Sequence, residues 1–240
     1  MSPVPDEDRI PFFVFIVESP SDLDFYHDRA EGRLLAEVIR HTGVPTVLRV
    51  AITRQALVAA LHYGLVDEMK ANPERLPILH ISAHGSAEGI QLASGEALSW
   101  QDLRDILKPV NAALKGSLFI CLSTCQGYSG TQMAMYPDDE DFPYFALIGC
   151  AASPTWAETS VGFATLYHQV ARGEYVEDAV EIMRRASGND AFYLRTAEDT
   201  KKDYIEYLKS IDAGDARHEL TEATDAGRLG DMVKYTGSCA

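Results

Sequence analysis

Apolar and polar positions fall into alternating blocks along the chain. Residues 11–18 (PFFVFIVE) form a continuous apolar run of strand length, which predicts a strand buried on both faces. Within residues 28–42 (DRAEGRLLAEVIRHT), Leu34, Leu35, Val38 and Ile39 recur at the spacing of one helix face, and Gly43 follows where a helix end is expected. The same order then repeats. Residues 46–51 (TVLRVA) read as a second strand, about 54–70 as a helix, and 76–83 (LPILHISA) as a third strand. Residues 90–98 (IQLASGEAL) predict a small hairpin turning at Ser94 and Gly95. A helix over 100–107, strands over 117–123 (SLFICLS) and 144–151 (YFALIGCA), and helices near 157–172, 176–185 and 199–210 complete the pattern.

Strands alternating with helices of ten or more residues imply an α/β fold, a three-layer α/β/α sandwich with a mostly parallel central sheet. No repeat, low-complexity tract or linker divides the chain. The expected organisation is a flexible lead-in over 1–10, one domain over 11–210, and a C-terminal extension over 211–240 whose order the pattern leaves open. In such a sheet a ligand binds beyond the carboxyl ends of the strands.

Composition then narrows the partners. The 240 residues carry 36 Asp plus Glu against 21 Lys plus Arg, a net charge of -15, and no basic block. That balance opposes nucleic acid or an anionic membrane surface as the main partner, since both need a basic footprint. No apolar run approaches the roughly 18 residues of a bilayer span. The start MSPVPDEDRI has acids where a signal peptide needs a basic and then an apolar stretch, so the expected location is the cytoplasm. The four cysteines, Cys121, Cys125, Cys150 and Cys239, are too unevenly placed for a disulfide framework and are expected to be free thiols.

Two strand ends carry reactive side chains. The third strand runs on as ILHISAHGSAEG and the fourth as LFICLSTCQGYSG, which delivers His84 and Cys125 to the same rim. A thiol needs a neighbouring base to become a competent thiolate, and an imidazole suits both taking that proton and returning it to a leaving amine. Gly85 lets its backbone N–H approach a substrate carbonyl, and the N–H of Cys125 offers a second oxyanion donor. The same segments also hold His80 and Cys121, each four residues earlier. On a helix that spacing suits a metal, but along a strand, at ~3.3 Å per residue, the members of each pair stand about 13 Å apart. No metal or other cofactor is therefore expected, and His80 and Cys121 read as residues packed inside the sheet.

A strand ending in HISAHG paired with one ending in ICLSTCQG resembles the caspase-like cysteine peptidases, in particular the bacterial caspase-like and CHAT-type proteases. The opening FFVFIVESPSD with DRAEGRLLAEVIRHTG is similar to that family's first strand and helix, and ALIGCAASPTWAETSVGFATLYHQVARG to the strand and helix after its nucleophile. The likeness spans about residues 11–190. It implies a caspase-like fold, a Cys-His dyad of Cys125 and His84, and Gly85 and Cys125 as oxyanion donors. It further implies a protein substrate, an upstream activator, and a role in bacterial defence or cell death. Ser-Thr-Cys-Gln-Gly departs from the Gln-Ala-Cys-x-Gly of animal caspases, so their aspartate preference does not carry over.

Asp22, Asp24 and Glu158 are candidate acids for a specificity pocket, and Arg29, within DRAEG, resembles the caspase pocket arginine. The acidic balance tilts the expectation toward a basic residue before the scissile bond. The acidic stretch YPDDEDFP (136–143) is a second place that could hold a basic substrate, and Trp156, Tyr128 and Phe192 are candidate groove aromatics. Two alternatives stand beside the peptidase. One is an inactive caspase-like interaction module. The other rests on IVESPS (16–21), which looks like the opening strand of Toprim nucleic-acid enzymes, although no later strand ends in the Asp-x-Asp that would hold their magnesium.

Overall fold

A computed structural model describes residue 5 and residues 9–212. Most of the expected lead-in and nearly all of the expected extension lie outside the described residues. The chain begins with β1 (Phe12–Ser19), α1 (Asp22–Tyr26), α2 (Glu31–His41) and β2 (Thr46–Val50). It continues with α3 (Arg54–Ala59), a π-helical turn over 60–65, α4 (Val66–Ala71) and β3 (Leu76–Gly85). The hairpin β4 (Gly89–Gln91) and β5 (Ala97–Ser99) leads into α5 (Trp100–Ala113) and β6 (Phe119–Ser123). After a 3-10 segment over 127–134 come β7 (Ala146–Cys150), α6 (Trp156–Ala171), α7 (Val176–Ser187), β8 (Phe192–Thr196) and α8 (Ala197–Asp212).

The strands lie in the order β2-β1-β3-β6-β7-β8, with the β4–β5 hairpin paired to the end of β3. Neighbours from β2 to β7 run parallel, and β8 closes the edge antiparallel to β7. Side chains alternate across β1 and divide the apolar residues into two cores. Phe13, Phe15 and Val17 pack with Leu57, Leu61 and Leu65 and with Leu103 and Leu107 of α5. Val14 and Ile16 pack with Leu35 and Ile39 of α2, Phe163 and Tyr167 of α6, and Met183 of α7. The result is the expected three-layer α/β/α sandwich. Each fully buried Phe or Leu in these layers contributes about 2 kcal/mol by leaving water.

Three elements differ from the expectation. Helix α5 runs past Pro109 to Ala113. The proline removes one helical donor, but Leu107 and Val110 are buried on the sheet, and that packing outweighs the loss. Strand β8 falls where no strand is expected. Its exposed edge position gives FYLRT half-exposed residues, so the five-residue segment shows no buried run. Helix α1 occupies a stretch expected to be loop. Its signal is in the sequence, because Ser21 and Asp24 form a reciprocal capping box.

Candidate active site

Strands β3 and β6 pair in parallel, with His80 opposite Cys121 and Ser82 opposite Ser123. Their carboxyl ends therefore arrive side by side. His84 and Cys125 line one cleft there, together with Asp24, Ala83, Ser123, Thr124, Ser153, Pro154, Thr155, Trp156 and Thr159. The approach of the two ends requires a glycine. A Cβ on Gly85 would stand 2.6 Å from the Cys125 carbonyl oxygen and 2.8 Å from Thr124, inside van der Waals contact. Immediately after Cys125 the chain turns sharply, with Gln126 in the left-handed region at φ 52°. The turn is held by the Gln126 N–H, which donates to the Ala152 carbonyl at 2.8 Å.

His84 is held by a buried carboxylate. Its Nε2 lies 2.6 Å from Oδ2 of Asp24, whose side chain is 7 % exposed. A carboxylate only accepts, so neutral His84 carries its proton on Nε2 and presents Nδ1 as the basic nitrogen. Burial alone would raise the Asp24 carboxyl. Hydrogen bonds from Ser21 and His84, together with the attraction of a charged His84, outweigh it and hold the carboxyl below its usual range. Asp24 is thus ionised at neutral pH and ready to stabilise an imidazolium. The Trp156 ring meets His84 edge-on, with centroids 5.9 Å apart, and forms one wall of the cleft.

Behind the cleft lies a second group of carboxyls. Glu31, 3 % exposed, accepts hydrogen bonds from the hydroxyls of Ser82 at 2.8 Å and Ser123 at 2.6 Å. Burial pushes its carboxyl up to about 7. Glu18, at the end of β1, accepts the Gly32 N–H at 2.6 Å, and burial raises its carboxyl as well.

No protein-family model matches this chain, and no curated protein does. Among solved structures the chain is similar to the complex of the pro- and mature domains of RgpB from Porphyromonas gingivalis. The TM-score is 0.48 at 10% sequence identity, over 80% of this chain and 49% of that one, so this chain spans about half its length.

The structure brings His84, Gly85, Cys125 and Asp24 together and disperses the other expected site residues. Asp24 reaches the cleft, but its carboxylate is taken up by His84 and Ser21. Asp22 and Arg29 are exposed and do not line the cleft. Glu158 caps α6, accepting from the Thr155 N–H at 2.6 Å and the Thr155 hydroxyl at 3.0 Å. In the acidic 136–143 stretch, Asp139 pairs with Arg104 and Lys108. Trp156 lines the cleft, Tyr128 packs on Tyr193, and Phe192 is fully buried in the core.

The expectation of free thiols holds for Cys121 and Cys150, both buried. Cys125 is disulfide-bonded instead, so any nucleophilic role belongs to the reduced protein. Cys239 lies outside the described residues. Among the described residues no helix is long and apolar enough to cross a membrane.

Proposed function

We propose that the protein is a caspase-like cysteine endopeptidase. The observation that carries this reading is the convergence of His84 and Cys125 on one cleft, with His84 oriented through Nε2 by the buried Asp24 carboxylate. In the reduced enzyme the Cys125 proton passes to Nδ1 of His84 as Sγ attacks the substrate carbonyl carbon. The backbone N–H groups of Gly85 and Cys125 stabilise the oxyanion. Collapse of the tetrahedral intermediate expels the amine, which takes its proton from His84, and leaves a thioester on Cys125. Water, deprotonated by the same His84, hydrolyses the thioester and regenerates the thiol. None of these steps calls for a cofactor.

The substrate is a protein or peptide cut after a basic residue, the preference that the net charge of -15 favours. The resemblance of the two strand-end motifs to caspase-like proteases supports a place in a bacterial defence or cell-death response, under an upstream activator. Digestion of a proteome-derived peptide library tests the reading, with reduced wild type set against Cys125→Ala. Cleavage by the wild type alone is the expected result. Identical peptide patterns for the two proteins would end the peptidase reading.

A further inference from the structure

An acid in the first turn of a helix ordinarily faces solvent and is explained by the helix dipole. Glu31 opens α2 but is only 3 % exposed, so its carboxylate needs donors inside the protein. Two hydroxyls supply them. Ser82 of β3 and Ser123 of β6 both donate to the same oxygen, Oε2, at 2.8 Å and 2.6 Å. One carboxylate oxygen therefore joins two neighbouring strands. The helix end that carries it is anchored to a third strand, β1. Ala30, just before α2, offers no side-chain cap, and Glu18 of β1 takes the Gly32 N–H at 2.6 Å instead. Gly32 permits this close approach, because a Cβ there would stand 2.9 Å from Oε2 of Glu18 and 2.9 Å from the Leu48 side chain.

Ser82 and Ser123 form the last paired rung between β3 and β6. Beyond it the two chains turn to different neighbours. His84 and Gly85 pair with β4, while the Gln126 N–H bonds to Ala152, past the end of β7. His84 and Cys125 each lie two residues past the rung. Strand ends are where pairing opens at least cost, yet an imidazole and a thiol exchange a proton only within hydrogen-bond reach. The Glu31 bridge ties the two strands at the point where their own ladder stops. Packing of α2 on the sheet does not call for it, since Leu35 and Ile39 already supply apolar contact there.

We propose that Glu31 is a positioning residue of the active site: by holding the Ser82 and Ser123 hydroxyls on one oxygen, it fixes the spacing of His84 and Cys125 at the ends of their strands. The proposal rests on the peptidase reading of the same cleft and adds to it a residue that acts only through others. Neither Glu31 nor Ser82 lines the cleft. Loss of the bridge should therefore slow the chemistry and leave substrate binding alone.

Two measurements test it. The first is kcat and KM of the reduced enzyme for a fluorogenic peptide chosen from those the wild type cuts in the library digest. Ser82→Ala removes one oxygen and one leg of the bridge, and should lower kcat by at least about 10-fold with KM within about twofold. A bridge fails when either leg is lost. Ser82→Ala combined with Ser123→Ala should therefore fall within about twofold of the slower single variant, far short of the product of the two losses. Glu31→Gln keeps an acceptor oxygen and should retain at least about a tenth of wild-type kcat, whereas Glu31→Leu, with no acceptor, should retain less than about a hundredth. Ser82→Ala carries the test if Glu31→Leu does not fold. Lower melting temperatures with kcat intact in these variants would make Glu31 purely structural and overturn the proposal.

The second measurement needs no substrate: the rate at which iodoacetamide modifies Cys125 in the reduced, folded protein. Ser82→Ala should slow it by at least about 5-fold, because the imidazole that draws off the thiol proton is no longer held beside it. That slowing in a protein that cleaves no peptide would uphold the bridge and sink the peptidase. A wild type that cleaves, with kcat and the Cys125 rate both unchanged in Ser82→Ala, would sink the bridge and leave the peptidase standing. A protein that cleaves nothing, and whose Cys125 rate is the same with and without the Ser82 hydroxyl, overturns both.

Discussion

Two His-Cys pairs lie along β3 and β6, four residues apart, one inside the sheet and one at the carboxyl ends of the two strands. His80 and Cys121 face each other in mid-sheet, both fully buried. Burial drives the His80 imidazole down to about 3 and the Cys121 thiol up to about 12, so one stays neutral and the other protonated. His80 Nδ1 is 2.9 Å from the Tyr167 hydroxyl, and its ring packs edge-on against Phe163, as a core aromatic would. At the rim, His84 keeps 29 % of its side chain exposed, pairs with an ionised carboxylate and shares a cleft with Cys125. Residue type is the same in both pairs. What differs is the solvent access and charge partner of the imidazole, and in the reduced protein these decide whether it can exchange a proton with the thiol, since Cys125 itself is 8 % exposed and disulfide-bonded.

Substituting the cysteine of each pair separates the rim from mid-sheet with the largest effect. Cys125→Ala should reduce peptide cleavage by roughly 10^4-fold or more, since it removes the proposed nucleophile outright. Cys121→Ala should leave kcat/KM within about twofold and cost about 1–2 kcal/mol in denaturant unfolding through lost packing. Equal effects of the two substitutions on activity would erase the distinction between rim and mid-sheet.

Asp24→Asn addresses the charge partner. The substitution keeps the shape of the side chain but removes the negative charge that fixes the Nε2–H tautomer of His84 and stabilises its imidazolium. The expected loss is roughly 10^3-fold, appearing in kcat with KM little changed. A structural role alone would show as a lower melting temperature with kcat intact.

Gly85→Ala probes the closeness of the strand ends. Its Cβ would press on the Cys125 carbonyl and Thr124, so the ends must separate. A displacement of this kind should lower kcat by roughly 10^2-fold. Wild-type kcat in a folded Gly85→Ala protein would show that the contact does not set the geometry.

The smallest effect concerns pH. His80 ionises near 3 in the folded protein, against its ordinary 6.5. Below 6.5 the unfolded chain takes up a proton that the native state refuses. The stabilisation from neutral His80 is therefore complete above 6.5 and is lost as pH falls toward 3. Glu31 acts in the opposite sense. Its carboxyl, raised from 4.5 to about 7, contributes fully below 4.5 and loses its contribution as pH rises through 7. His80→Leu should flatten the acid side of the stability profile between pH 3 and 6.5 while leaving cleavage within about twofold. An unchanged acid slope would mean that His80 is not neutral in the native protein.

Much of the fold is legible in the sequence because buried parallel strands are continuous apolar runs and their covering helices keep a clear period. The rim pair is legible for a related reason, since a reactive side chain directly after such a run has only one place to go. The partners of that pair are harder to read. Asp24 sits sixty residues before His84, and among Asp22, Asp24, Glu158 and Arg29 nothing local says which reaches the imidazole. The Ser21–Asp24 capping box marks a helix there, and a helix with Asp24 as its only buried residue turns that acid inward. Glu31 is harder still, because its meaning depends on Ser82 and Ser123, which belong to two other strands. Strand β8 escapes because an edge strand is not buried on both faces.

In the proposed mechanism, position at the rim beside an oriented imidazole makes Cys125 the reactive thiol. The most direct measurement is the rate of iodoacetamide modification at each cysteine of the reduced, folded protein, followed by peptide mass spectrometry. Cys125 should react at least about 10-fold faster than Cys121 and Cys150, and His84→Ala should remove most of that advantage. A Cys125 that reacts no faster than Cys150, or that keeps its rate without His84, would contradict it.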